Sequence, residues 1–229
     1  VFYQTLRGGS APAGDGTRGG TNPRQIGLGV SLASIDVLHT QGAAQMTGNG
    51  TDLMIQGDGF FILTDGTNYF YTRAGAFAFD AGGNLVNPAN GLKVVACEGS
   101  LQIDPNAQGY SFDTMGRLSY VDANGVVQSN VGTIAIAKFP NPGGLIKVGE
   151  NLYRWSDAAG DEVGGNNETG GPPGGDGRGT IIPGALEMSN VELAQEFTDM
   201  IVTQRGFQAN ARVITVSDEM LQELANLKR

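Results

Sequence analysis

The sequence has few charges, one cysteine and one histidine, and these shortages exclude several classes of protein. Only 16% of the 229 residues are charged. Because Cys97 is the single cysteine, the chain cannot form an internal disulfide, and the apolar run around this thiol predicts a buried small side chain. Cys97 and His39 lie far apart and are too few for a zinc site or a nucleophile–base pair. We therefore expect no enzyme.

Long apolar runs and basic clusters are also missing. No apolar run approaches the roughly 18 residues that a membrane-spanning helix needs. A net charge of −9 without a basic patch argues against a nucleic-acid partner. The Asp-Gly turns at residues 57–59 and 80–84 lack the ligand spacing of a calcium loop, and the glycine-rich stretches do not match phosphate-binding motifs. We expect neither a metal nor a cofactor.

The N-terminal stretch, residues 1–25, is rich in glycine and small polar residues and has no hydrophobic periodicity. This composition predicts an extended N-terminal arm, and simple disorder is the alternative. The sequence begins with Val1 rather than methionine. We therefore expect the N-terminus to be truncated, with a targeting or helical segment preceding Val1.

Residues 26–155 carry a β pattern. Short runs of branched and aromatic residues recur every 8 to 12 positions and are separated by Asp-Gly and Asn-Gly turns, which is typical of an antiparallel sandwich or barrel. Residues 30–35 and 37–39 also alternate, so we expect short strands there, with His39 partly buried or at the surface. Residues 156–182 are dense in glycine and predict a flexible surface loop that returns as a strand.

The last segment, residues 183–229, predicts a long C-terminal helix. Ser189 and Glu192 have the spacing of a capping box, and a helix of this length would extend for roughly 60 Å, twice the diameter of a small domain. Its apolar positions cover more than one side, so we expect it to pack against other copies, with Gly206 as a point of close approach. A core helix and a dimeric coiled coil are the alternatives. The predicted subunit-packing positions are Leu193, Phe197, Met200, Ile201, Gln204, Gly206, Phe207, Ala211, Ile214, Leu221 and Leu224.

Several motifs resemble those of the bacterial flagellar hook and rod proteins. The similarity extends from about residue 20 to the C-terminus, except for residues 156–180. Within the family the tail and the glycine-rich arm look most like the hook branch, and the distal rod protein is the alternative. The motifs are Gly-Asp-Gly-Phe-Phe at 57–61, Tyr-Thr-Arg-Ala-Gly-Ala-Phe at 71–77, Gly-Asn-Leu-Val at 83–86, Gly-Ala-Leu-Glu-Met-Ser-Asn-Val at 184–191, Glu-Phe-Thr-Asp-Met-Ile at 196–201 and Gln-Arg-Gly-Phe-Gln-Ala-Asn at 204–210.

The resemblance implies a structural role. It implies an antiparallel β domain of the flagellar hook type, placed outside an inner tube of N- and C-terminal helices in a helical homopolymer. It further implies export through the flagellar type III apparatus without a cleaved signal, an extracellular location, and a flexible joint that transmits torque. The implied partners are other copies, rod proteins, the hook cap and hook–filament junction proteins. The outer domain of larger hook proteins has no counterpart in this sequence.

A third interpretation comes from a different class. A secreted carbohydrate-binding module with a coiled-coil tail would use exposed aromatic side chains to stack on sugars. Tyr69, Tyr71 and Trp155 could serve such a role. The same residues are also explained by packing within a sheet.

Overall fold

The computed structural model describes residues 2–9, 11, 20–164 and 167–227. The chain divides into two compact units, residues 1–38 and residues 39–229. The first unit extends beyond the predicted arm, residues 1–25, because residues 24–29 pair with the N-terminal strand. The division into four functional segments remains a prediction.

The first unit contains a two-stranded ribbon where the sequence predicted an extended arm. Strand β1 (Phe2–Arg7) pairs antiparallel with β2 (Arg24–Gly29). Both ends of the predicted arm therefore form paired strands. Residues 1, 10 and 12–19 of the arm lie outside the described residues. The strands expected at residues 30–35 and 37–39 are wrong, since residues 30–43 form neither helix nor strand. Alternation alone does not make a strand where no neighbouring strand supplies hydrogen bonds.

The second unit is built from short antiparallel strands followed by one long helix. Every strand pair among the described residues is antiparallel, so the predicted mainly-β fold with a long C-terminal helix is confirmed. The elements are β3 (Ala44–Met46), β4 (Leu53–Gln56), β5 (Phe60–Thr64), β6 (Tyr69–Thr72), β7 (Ala78–Phe79), β8 (Leu85–Val86), β9 (Lys93–Val94), β10 (Ala96–Gly99), β11 (Gly109–Phe112), β12 (Arg117–Val121), β13 (Val127–Ile134), β14 (Ile136–Ala137), β15 (Ile146–Gly149), β16 (Leu152–Arg154), β17 (Thr180–Pro183), β18 (Ala185–Glu187), two 3-10 helices (Pro142–Gly144 and Asp157–Ala159) and α1 (Leu193–Leu227).

The strands form one large sheet and several small ones. The large sheet has the order β15-β16-β6-β5-β9-β8-β7, and β14 also pairs with β5. A four-stranded sheet has the order β10-β13-β12-β11, and two further pairs are β17-β4 and β18-β3. The last of these pairs matters for function, because it brings the chain entering the β region beside the chain leaving it for α1.

Strand β5 lies at the centre of the core and is buried on both faces. Successive strand residues point to opposite sides. Phe61 and Leu63 accordingly pack in one hydrophobic cluster, whereas Phe60 and Ile62 pack in a second one. A strand covered on both sides needs apolar residues at every position, which explains the uninterrupted apolar run that the sequence shows here.

The helix begins later than predicted. Its first intrahelical bond runs from the amide of Glu196 to the carbonyl of Glu192, at 3.1 Å. The Ser189 hydroxyl instead accepts from the Val191 amide at 3.2 Å, so the predicted capping box does not form. Residues 185–187 are hydrogen-bonded to β3 as a strand, and the chain turns before it enters the helix. Helix α1 then has 35 residues and extends for roughly 52 Å at 1.5 Å per residue.

The glycine-rich stretch contacts the β region at several of its described residues, 156–164 and 167–179, and its flexibility stays a prediction. Gly171 exchanges two backbone hydrogen bonds with Ile136, at 3.0 and 3.1 Å. The side chains of Arg178 and Glu162 are fully buried and form an ion pair at 2.8 Å. One arginine and one glutamate thus join two parts of this segment through a buried ion pair.

Candidate functional site

The predicted subunit-packing residues all lie on α1, and none of them is buried. No described residue of this helix is buried. Phe197 is 58% exposed and Phe207 is 78% exposed, and the Leu, Ile and Met side chains of the set are likewise more than half exposed. Exposed apolar surface of this extent is typical of interaction sites, so the role of these residues in subunit packing stays a prediction. We call this surface the α1 apolar face; its members are the eleven positions given above.

Gly206 lies within the α1 apolar face. A Cβ atom built at this glycine would meet no heavy atom within 4 Å. Glycine costs about 1 kcal/mol of helix propensity relative to alanine, and no contact among the described residues offsets that loss. Its role as a close-approach point between neighbouring helices, with Gln204 beside it, stays a prediction.

A second region lies at the base of α1, where three of the sequence motifs meet. We call it the helix-root cluster. It brings together the turn between β4 and β5, the residue that follows β6, the end of β18 and the segment before β3. Its members are Gln41, Gly42, Gly57, Gly59, Arg73 and Glu187.

Arg73 is the centre of the helix-root cluster. Its Nε donates to Glu187 Oε2 at 2.6 Å, while Nη1 donates to the Gly59 carbonyl and Nη2 to the Gly57 carbonyl, each at 2.8 Å. Both glycines have positive φ, 106° and 141°, a backbone shape that side chains rarely adopt. The planar guanidinium therefore binds one carboxylate and two carbonyls in a fixed geometry that lysine could not reproduce.

Glu187 connects Arg73 to the incoming chain. Its second oxygen, Oε1, accepts from the Gly42 amide at 2.9 Å, and the Met188 amide donates to the Ala43 carbonyl at 2.9 Å. The two backbones approach so closely that a Cβ on Gly42 would lie 1.9 Å from the Met188 carbonyl oxygen. Only glycine permits this approach, so the incoming and outgoing chains are held side by side.

The sequence identified the helix-root motifs only through family likeness. Their mutual contact, and the part played by Gln41, were missed. The Gln41 side-chain oxygen accepts from the Gly57 amide at 3.1 Å. A lone arginine and a lone glutamate 114 positions apart carry no spacing signal. Their pairing follows from tertiary structure alone.

His39 lies beside this cluster in a partly apolar position. Its ring makes edge contacts with Phe60 and Tyr153, with centroid distances of 5.4 and 5.2 Å. Burial, and secondarily the positive charge of Arg73, lowers the pKa of His39 below its usual 6.5. The folded chain therefore binds this proton more weakly than the unfolded chain does.

The lowered pKa of His39 predicts an acid-sensitive β region. Because the unfolded state binds more protons below the usual pKa of 6.5, the free energy of unfolding should fall as pH decreases from about 7 to 5. The His39→Phe variant keeps a ring against Phe60 and Tyr153 but does not titrate. Urea unfolding across this pH range should give a flatter profile for the variant, and equal slopes would contradict the prediction.

The use of aromatic side chains for sugar binding and the predicted burial of Cys97 need correction. Tyr71 is only 1% exposed and donates its hydroxyl to the Asn167 carbonyl, and the Trp155 Nε1 donates to the Gly160 carbonyl at 3.0 Å. These aromatics pack with the core and do not form the exposed sugar-binding surface of the third interpretation. Cys97 is half-buried rather than buried, and burial raises the pKa of its thiol.

The described residues contain no group of three or more His, Cys, Asp or Glu side chains placed to hold a metal ion. In the same part of the chain, no helix has the length and apolarity to cross a bilayer. A cavity of about 430 Å³ lies beside Arg178 and Asp58. The Arg178 guanidinium is already bound by Glu162 and Asp176, so it is not free to bind an anionic ligand there.

The comparisons with known proteins match this chain to flagellar hook and rod proteins. Residues 54–120 match a family model described as the flagellar hook protein FlgE/F/G D1 domain, and residues 182–227 match the flagellar basal body rod FlgEFG protein C-terminal model. The chain is 48% identical over 230 residues to the flagellar basal-body rod protein FlgG of Bacillus subtilis, with 100% of this chain and 84% of that protein covered.

Two proteins of Borreliella burgdorferi extend the comparison. The flagellar basal-body rod protein FlgG of Borreliella burgdorferi is 35% identical over 240 residues, covering 100% of this chain and 83% of the relative. The flagellar hook protein FlgE of the same organism is 30% identical over 407 residues, covering 100% of this chain and 90% of the relative. With the β fold, the exposed terminal helix and these matches together, the chain belongs to the flagellar hook and basal-body rod family, a family of structural proteins of the flagellum.

Proposed function

We propose that this chain is a structural subunit of the flagellar rod that polymerises into a tube through α1. The observation that carries the proposal is the α1 apolar face, which the described residues of this chain leave exposed. Several hundred Å² of apolar surface buried at about 25 cal/mol per Å² would contribute on the order of 10 kcal/mol before the costs of ordering. Burial against other copies is therefore the driving force for assembly.

The lengths of the two alignments support the rod over the hook. The alignment with the rod protein of Bacillus subtilis spans 230 residues, almost the length of this chain, so the two need few insertions. The alignment with the hook protein of Borreliella burgdorferi spans 407 residues, so that relative carries long insertions that this chain lacks. A subunit without such an insertion makes fewer contacts with neighbouring subunits at the outside of the tube. This is consistent with a straight polymer.

The hook remains the second candidate. It is favoured by the match that covers the whole chain and 90% of a hook protein, and by the likeness of the tail and arm to the hook branch. In that case the polymer would act as a flexible joint between rod and filament. For either candidate, we propose that the partners are other copies and adjoining rod, cap or junction proteins. We also propose export without a cleaved signal, and both of these proposals rest on the resemblance.

Electron microscopy of the polymerised protein separates the two candidates. A rod subunit is expected to form straight tubes, and a hook subunit curved ones. Images should be taken at more than one pH and salt concentration, because curvature can change with conditions. Tubes that stay straight throughout support the rod, and curved tubes overturn it in favour of the hook. The absence of any polymer under these conditions would contradict both.

Hydrogen exchange tests whether α1 is the assembly element. Backbone amides of residues 193–227 should exchange fast in the monomer, because an isolated helix with its apolar side in water is only marginally stable. The same amides should exchange slowly in the polymer, where neighbouring copies cover them. The amides of β5 serve as the internal control and should be protected in both forms. Equal protection of α1 in monomer and polymer would argue against its burial on assembly.

A further inference from the structure

The helix-root cluster lies where any force between α1 and the β region must pass. Helix α1 is exposed along its described length, and residues 188–192 connect it to β18 without helix or strand structure. The outgoing chain is paired to the β3 strand over only three residues. Each backbone hydrogen bond between β18 and β3 contributes only about 0.5–1.5 kcal/mol. These bonds alone therefore attach a helix of this length only weakly to the β region.

The ion pair strengthens this attachment. The Arg73 and Glu187 side chains are 25% and 10% exposed, and hydrogen bonds between charged groups are about twice as strong as neutral ones. The Asn190 side chain, beyond the strand pair, adds a bond to the Thr40 hydroxyl at 2.8 Å. The chain is thus held on both sides of Met188 just before it enters α1.

We propose that the helix-root cluster is a clamp that fixes the direction in which α1 leaves the β region, with Arg73 and Glu187 as its positioning residues. The clamp sets how stiffly the polymer couples its inner helices to its outer β regions. This inference rests on the proposed function, in which α1 packs among copies. It goes further by assigning polymer stiffness to a contact that lies within one subunit.

The clamp joins polar groups and adds no apolar side chain to the hydrophobic core. Arg73 donates to the Gly57 and Gly59 carbonyls, and Glu187 accepts from the Gly42 amide. Removing the charge of Glu187 should therefore leave the core packed while loosening the root of the helix. A purely structural role would instead lower the stability of the whole β region.

The test compares Glu187→Gln with Glu192→Gln in the full chain. Glutamine at 187 keeps the shape and an oxygen for the Gly42 amide but loses the charge that binds Arg73. The control removes the same charge five residues later, where the side chain is exposed. In the monomer, the Gly42 and Met188 amides should exchange about ten-fold faster in Glu187→Gln and remain unchanged in Glu192→Gln. Thermal unfolding of the β region should shift little in either variant.

The polymer gives the second measurement. Tubes of Glu187→Gln should have a shorter persistence length in electron micrographs than tubes of the wild type or of Glu192→Gln. Arg73→Lys, which keeps the charge but loses the planar fork, should behave like Glu187→Gln in both measurements. This variant also keeps the test decisive if Glu187→Gln fails to fold.

The outcomes separate the clamp from the proposed function. If Glu187→Gln matches Glu192→Gln in exchange and in tube stiffness, or if Arg73→Lys matches the wild type, the clamp is overturned while assembly through α1 stands. If the wild type forms no tubes, the proposed function fails. Hydrogen exchange of the Gly42 and Met188 amides in the monomer then still shows whether the helix-root cluster holds the two chain segments together. Fast exchange at these amides in the wild type also overturns the clamp.

Discussion

Replacing Phe197 with glutamate is expected to abolish assembly while leaving the β region as stable as in the wild type. Phe197 is 58% exposed on α1, so the monomer gains a charge at a site already in water. In the polymer the same position would be buried. Burying a phenylalanine side chain contributes about 1.5–3 kcal/mol, and an unpaired buried carboxylate costs several more. A loss of this size should raise the critical concentration for polymerisation at least about 100-fold.

Thr198→Glu is the matched control for this substitution. It adds the same negative charge at an exposed residue of the same turn, but at 100° per residue Thr198 lies roughly 100° around the helix from Phe197 and at least about 60° from every position of the α1 apolar face. Sedimentation of polymer across a concentration series gives the critical concentration, and circular dichroism melting gives the stability of the monomer. The α1 apolar face would lose its assigned role if both variants polymerised like the wild type. It would also lose it if Phe197→Glu lowered the melting temperature of the monomer.

Replacing Arg178 with methionine is expected to lower the free energy of unfolding of the β region by about 3–5 kcal/mol. The Glu162 carboxylate is fully buried, and its Oε2 has no hydrogen-bond partner, so it depends on Arg178 for charge compensation. Methionine fills similar space but leaves that carboxylate unpaired. For a unit of this size, a loss of this magnitude should lower the melting temperature by on the order of 10 °C.

Asp176→Asn is the control for the buried pair. Asp176 also contacts Arg178, at 3.0 Å, but its side chain is 58% exposed, so its removal should cost less than about 1 kcal/mol. Calorimetry of both variants gives the comparison. Similar melting temperatures for Arg178→Met and the wild type would mean that the glycine-rich segment is not held by this pair. The double variant Glu162→Gln with Arg178→Met should recover part of the loss, since it leaves no buried charge.

Some elements were predictable because their signal is local. The long helix follows from apolar periodicity over residues 193–227 together with the near absence of glycine. Strand β5 follows from a run of aromatic and branched residues between Asp-Gly turns. In each case the residues that form the element also carry its pattern, so neighbours far along the chain add little to the prediction.

Other elements were not predictable because distant partners decide them. The capping box at Ser189 has the right spacing, yet pairing of β18 with β3 draws the chain into a strand and delays the helix to Leu193. Residues 156–180 contain Val163 as their only large apolar residue, yet the buried pair of Arg178 with Glu162 joins two parts of this glycine-rich segment. Propensity is weak, at fractions of a kcal/mol per residue, and one buried contact outweighs it.

By itself, the amino-acid sequence determined that this protein has an antiparallel β region, a long apolar C-terminal helix, and the motifs of the flagellar hook and rod family. Only the tertiary structure decided that Arg73 meets Glu187 at the base of the helix and that the described residues of this chain leave the α1 apolar face exposed. The physical reason is the range of the interactions. Periodicity and turn chemistry act over a few residues, whereas ion pairs and burial depend on which distant segments the fold brings together.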